Sequence, residues 1–149
     1  MGGDGNDELL GGSGRDVMVG GKGADRLVGN SNDDILVAAY TSYDDRSSAN
    51  HEDFWCAVLA EWNSTDTFEN RVNRLRTGGG GVNLLGSVID DLAADDFDFL
   101  NGAAGEDWLI MMSSEDLSCS NISRACPLGT RRCSEPSSRL MALSGWRRS

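Results

Sequence analysis

Gly2-Gly3-Asp4-Gly5-Asn6-Asp7-Glu8-Leu9-Leu10 opens a run of four nine-residue phrases that fills residues 2–37. Gly11-Gly12-Ser13-Gly14-Arg15-Asp16-Val17-Met18-Val19 is the second, and Gly20-Gly21-Lys22-Gly23-Ala24-Asp25-Arg26-Leu27-Val28 the third. Gly29-Asn30-Ser31-Asn32-Asp33-Asp34-Ile35-Leu36-Val37, a looser copy, is the fourth. Aligned, they hold Gly at place one, Gly or Asn at places two and four, and Asp at place six. Place eight is always aliphatic or Met (Leu9, Met18, Leu27, Leu36). Places seven to nine are β-prone, so each copy reads as a turn followed by a short strand. A flexible Gly- and Asp-rich segment has a similar composition. It has no reason to keep Asp at place six and an apolar residue at place eight through four registers.

This pattern resembles the hemolysin-type, or RTX, calcium-binding nonapeptide repeat. The resemblance implies a right-handed parallel β-roll, a short β-solenoid, with calcium (Ca2+) buried in its turns. The residue types suit that chemistry. A hard divalent cation takes about six to eight oxygens from carboxylates, carbonyls and water. Glycines at places one, two and four permit positive φ and inward-turned carbonyls, and Asn30 and Asn32 are the next most tolerant of that conformation. Two copies complete one coil, so copies one and three stack, as do two and four. The candidate ligand loops are therefore Gly3, Gly5 and Asp7 over Gly21, Gly23 and Asp25, and Gly12, Gly14 and Asp16 over Asn30, Asn32 and Asp34. Stacked carboxylates repel without a cation between them, so order is expected to depend on the metal.

Alternation within each strand assigns the faces. Place eight fills the interior between two sheets. Outward, copies two and four present Val17, Val19, Ile35 and Val37, whereas copies one and three present Glu8 with Leu10 and Arg26 with Val28. The even sheet is expected to be covered by another part of the chain and the odd sheet to be wetter, with Glu8 and Arg26 paired across strands.

Beyond Val37 the period stops. Residues 38–81 read as a connector and a helical hairpin, with Tyr40 and Tyr43 expected to plug the open end of the roll. A first helix spans His51 to Trp62, its apolar stripe carrying Phe54, Trp55, Val58, Leu59 and Trp62. A second follows Asn63-Ser64-Thr65, with Asp66 and Glu69 in its first turn, Phe68, Val72 and Leu75 on its stripe, and Arg71, Arg74 and Arg76 toward the favourable C-terminal end of its dipole. It ends at Thr77-Gly78. The hairpin is expected to pack on the even sheet. Residues 82–112 begin with strand character over Val82–Ile89, and then the nine-residue period returns. Gly102-Ala103-Ala104-Gly105-Glu106-Asp107-Trp108-Leu109-Ile110 keeps Asp at place six, and Ala93 to Asn101 keeps Asp98 and Leu100 without the glycines. Asp107 joins the candidate metal ligands, and it and Asp98 are expected to be poorer ligands than the aspartates of the four copies. This layout, with Ala60-Glu61-Trp62 on the helical pair and Asp107-Trp108 in the returning repeat, is similar to that of large exported RTX-type proteins.

Residues 113–149 are rich in Ser and Arg, hold both prolines, and are expected to be a disordered tail. Cys119, Cys126 and Cys133 are spaced too widely for the paired loops of zinc sites. With Cys56 they make an even number, compatible with disulfides in an oxidising compartment. Charge is uneven. The whole chain carries −11, the tail +3, and residues 1–112, with seven basic against twenty-one acidic residues, −14. So acidic a body argues against nucleic acid, and no apolar stretch is long enough to span a membrane. Nor does a signal peptide precede the first phrase. The uncapped start is expected of the back end of a longer protein.

Catalytic signatures fail one by one. His51-Glu52-Asp53-Phe54-Trp55 has Trp where a zinc protease helix needs its second His. His51 is the single histidine, and no Gly-x-Ser-x-Gly elbow occurs. The expectation is therefore a mainly β, non-catalytic module: a short β-roll with an inserted α-helical hairpin and a disordered tail. It would bind calcium and fold on binding, and its resemblance implies an extracellular, secreted setting. The terminal module of a secreted hydrolase, and a fragment of an adhesive or matrix protein, are the alternatives.

Overall fold

The computed structural model describes residues 1–89 and 97–111, together with the backbone of 117–120. The described chain is mostly strand, with two helices. Four repeats give β1 (Gly3–Asp4), β2 (Glu8–Ser13), β3 (Val17–Val19), β4 (Gly21–Lys22), β5 (Arg26–Ser31) and β6 (Ile35–Val37). Then come β7 (Tyr40–Thr41), α1 (His51–Trp62), α2 (Phe68–Thr77) and β8 (Val88–Ile89). β9 (Phe99–Ala104), β10 (Trp108–Ile110) and β11 (Leu117–Ser120) follow.

Strands pair at a constant offset of two phrases. Val17, Met18 and Val19 sit in parallel register with Ile35, Leu36 and Val37, and Glu8, Leu9 and Leu10 with Arg26, Leu27 and Val28. The returning phrases continue both sheets. β9 aligns Leu100 with Leu27, and β10 aligns Trp108, Leu109 and Ile110 with Ile35, Leu36 and Val37. One parallel sheet thus runs β3-β6-β10 and the other β2-β5-β9-β11. The chain leaves the pattern after the fourth phrase and re-enters in register. Tyr40 and Tyr43 accordingly have no open end to plug there. Tyr40 pairs with Ile89 through β7 and β8, and the Tyr43 ring stacks on Phe54 at 3.9 Å.

Two cores result. Place eight of both sheets (Met18, Leu27, Leu36, Leu100, Leu109) forms one buried cluster, with Leu9 at its edge. Each fully buried aliphatic side chain there contributes about 1.5–3 kcal/mol. The other cluster lies on the far side of the even sheet, where Val19, Ile35, Val37, Trp108 and Ile110 meet Phe54, Val58, Trp62, Phe68, Val72 and Leu75. The hairpin covers the even sheet, as its outward residues require. On the odd sheet Leu10 is 64% exposed, and Arg26 pairs with Glu8 at the surface.

The helices form where their stripes predict, with local departures. α1 buries Phe54, Val58 and Trp62, while Leu59 is exposed. α2 is capped by the Thr67 hydroxyl, so Asp66 precedes it, and Gly78 closes it at φ 80°. Arg71 does not serve the helix dipole at the surface but is buried within the hairpin. Its guanidinium stacks 4.5 Å from the Trp62 ring and donates to the Trp62 carbonyl at 3.0 Å and to Asp33 Oδ2 at 2.6 Å. A buried cation is tolerated only when satisfied in this way. Between Val82 and Ile89 only Val88–Ile89 is strand, following a 3-10 turn at Leu85–Ser87. Of 113–149, expected to lack regular structure, Leu117–Ser120 runs parallel to β9. The rest of that segment, with Cys126 and Cys133, lies outside the described residues, as do residues 90–96.

Candidate metal centre

Places two and four of the repeats take the left-handed conformation that their residue types allow. Gly3, Gly5, Gly12, Gly14, Gly21 and Gly23 have φ between 102° and 116°. Asn30 and Asn32 take 79° and 73° at the same places. Place one differs from expectation, since its glycines are absent from the positive-φ residues. They are needed for space instead. A Cβ on Gly11 would lie 2.7 Å from Asp16 Oδ2 and 2.8 Å from the Gly29 carbonyl, and one on Gly29 would lie 2.2 Å from Asp34 Oδ2. Place one is where the backbone gives way to the carboxylate of its own loop.

Place six is held between stacked phrases. The Asp7 N–H donates to Asp25 Oδ1 at 2.8 Å, Asp16 to Asp34 at 2.8 Å, Asp25 to Asp98 at 2.7 Å and Asp34 to Asp107 at 2.9 Å. The Asp7 and Asp16 carbonyls accept from the N–H of Arg26 and Ile35, each at 2.8 Å. Oδ1 of Asp25, Asp34, Asp98 and Asp107 is therefore spent on positioning the neighbouring loop. Oδ2 of Asp7, Asp16, Asp34 and Asp107 is buried with no hydrogen-bond partner among the described residues. An orphaned buried carboxylate oxygen costs free energy unless something binds it. The loops of copies one and three are brought together as expected, with Gly3 beside Gly21 and Asp4 beside Lys22. So are those of copies two and four, with Gly12 beside Asn30.

The electrostatics point the same way. Burial pushes the Asp34 carboxyl up to about 7, with Asp107, Asp16 and Asp33 adding to the rise and the Asp16 N–H opposing it. Burial likewise pushes Asp107 up to about 6, with Asp33 adding to it and the Asp34 N–H opposing it. Among the described residues, no basic side chain pairs with either carboxylate. Among the described residues, no three His, Cys, Asp or Glu side chains converge. A cation between coils would thus draw on carboxylate oxygens and backbone carbonyls together. That all-oxygen set suits calcium and gives zinc or copper neither sulfur nor imidazole.

Two features of the site went beyond the sequence reading. Asp33, at place five, is a junction. Its Oδ1 accepts from the Glu106 N–H at 3.1 Å, its Oδ2 meets Arg71 and Arg15, and its carbonyl accepts from Trp62 Nε1 at 3.0 Å. The available signal was Arg71 lying on the Phe68–Val72–Leu75 stripe. The other is the place-one glycines, whose absolute retention in copies one to four marked them without giving the reason. His51 does structural work, its Nδ1 donating to the Tyr43 carbonyl at 2.6 Å.

Residues 1–36 match the RTX calcium-binding nonapeptide repeat, in four copies. That repeat implies calcium binding. No curated protein matches the chain, and no solved structure matches it. Among the described residues, no helix is long and apolar enough to cross a membrane.

Proposed function

We propose that the stacked loops bind calcium and that binding completes the folding of this chain as a non-catalytic module of an exported protein. On this reading the two sheets are the walls of a parallel β-roll. Calcium would sit between the Asp7 and Asp25 loops and between the Asp16 and Asp34 loops. The observation that carries the reading is the left-over Oδ2 of Asp7, Asp16 and Asp34, each buried beside a stacked loop with nothing described to receive it. When bound, the cation supplies the positive charge those carboxylates lack. The chain's own residues do the rest: glycine and asparagine turn the loops, and Oδ1 of Asp25 and of Asp34 sets the spacing between coils.

Binding of this kind is folding free energy, because a preformed site rarely exists in the unfolded chain. A module exported unfolded where calcium is scarce would then order itself outside, where extracellular modules bind with Kd on the order of 10⁻⁴–10⁻³ M. Titration calorimetry with calcium and with magnesium, joined to circular dichroism in chelator, tests this. Calcium should bind more tightly than magnesium and increase the strand signal. Equal affinity for both ions, no heat, or a chain fully ordered in chelator overturns the reading.

A further inference from the structure

We propose that the fourth copy and the returning phrase Gly102–Ile110, which lies outside the matched repeats, form an additional calcium site from Asn30, Asn32, Asp34, Ala103, Gly105 and Asp107. The inference rests on the calcium reading above but concerns a pair of loops 73 residues apart. Three observations carry it.

The loops stack as the matched ones do. Asn30 and Ser31 align with Ala103 and Ala104, just as Gly12 and Ser13 align with Asn30 and Ser31. A Cβ on Gly105 would lie 2.2 Å from the Asn32 carbonyl oxygen, and one on Gly23 lies 2.5 Å from that of Gly5. At place one, Gly29 faces the Gly102 carbonyl at 2.9 Å from its would-be Cβ, where Gly11 faces Gly29 at 2.8 Å.

The backbone is also held in the ligand-loop conformation against local preference. Ala103 sits at φ 66° and Gly105 at φ 139°. An alanine rarely adopts positive φ, and here it occupies place two, where the other copies use Gly or Asn. Such a conformation persists only where its surroundings impose it.

Finally, the carboxylates are built for a ligand. Asp34 is 0% and Asp107 2% exposed, and Oδ2 of each is buried without a hydrogen-bond partner among the described residues. Each Oδ1 is already committed to the coil above. A divalent cation of the kind taken by the first two coils fits this donor set, and binding it would fasten the returning phrase to the matched repeats.

The test is calorimetric counting of calcium ions on the whole chain and on Asp107→Asn. The substitution keeps an acceptor for the Asp34 N–H and removes the charge. The wild-type chain should bind one ion more than the variant. Equal non-zero counts overturn the additional site and leave the first two standing; no binding by either chain overturns the calcium reading as a whole, and this site with it. Should Asp107→Asn lose all binding by failing to fold, Ala103→Gly decides. That change should keep the wild-type count and tighten the weakest constant roughly five- to thirtyfold, as relief of a left-handed alanine predicts. A weakest constant that does not move overturns the proposal.

Discussion

The two sheets are written in the same nine-residue phrase and live in different surroundings. The even sheet lies beneath a helical hairpin, with Ile35 and Val37 wholly buried. The odd sheet shows Glu8, Leu10 and Arg26 to water. Their inward residues are interchangeable, and only places seven and nine separate them. A repeat therefore specifies its turn and strand through the residues it keeps and its neighbours through those it varies.

The sharpest way to break this contrast is to remove the side chain that joins hairpin to repeat. Trp62 is fully buried, and Trp62→Ala should cost about 3–5 kcal/mol. Leu10→Ala, on the open sheet, should change stability by no more than about 0.5 kcal/mol. Denaturant unfolding in saturating calcium measures both, and comparable losses would erase the difference between the faces.

Next in size is the loop column on the covered side. Asp16→Ala combined with Asp34→Ala should abolish calcium binding between copies two and four while the Asp7/Asp25 pair still binds. Each site lost removes about 2.7 kcal/mol of stabilisation at a hundredfold excess of calcium over Kd. An unchanged ion count in calorimetry would refute the pairing.

Acidity should act on that column too. A carboxyl whose folded-state pKa is raised, as for Asp34 at about 7 and Asp107 at about 6, favours the metal-free fold at low pH. That contribution is full below the ordinary value near 4 and is lost as pH rises through 6 to 7. Calcium needs the ionised form, so its affinity should move oppositely, weakening on the order of tenfold from pH 7.5 to 5.5. Melting curves across that range should thus slope in opposite directions in chelator and in saturating calcium. Parallel slopes would remove Asp34 from the ligand set.

The smallest effect belongs to the exposed pair of Glu8 and Arg26. A double-mutant cycle to alanine should give a coupling of about 0.2–1 kcal/mol that fades with added salt. A larger, salt-insensitive value would mean that the odd face is not as wet as it looks.

Much of this architecture was legible because it depends on short-range regularities. The φ values at places two and four follow from Gly and Asn, the interior from place eight, and α1 from the spacing of Phe54, Val58 and Trp62. The reason for Gly at place one was not legible, because it concerns the distance to a carboxylate five residues later in the folded loop. Nor was the fate of Arg71. Helix position suggested the surface, while partners distant in sequence, Asp33 above all, determined burial. The return of the repeat was visible in Asp107 and Leu109, and its register against Ile35–Val37 pairs the same places of the phrase.

The detour between Val37 and Phe99 has a consequence for how such a chain tolerates change. Closing a separation of 73 residues instead of 18 costs only about 1 kcal/mol more in loop entropy. A single residue added inside a phrase, by contrast, turns every later side chain of that strand to the wrong side. The corner after β6 is thus a splice point, open to any guest segment with an apolar face that matches Val19, Ile35 and Val37, beside phrases that admit no extra letter.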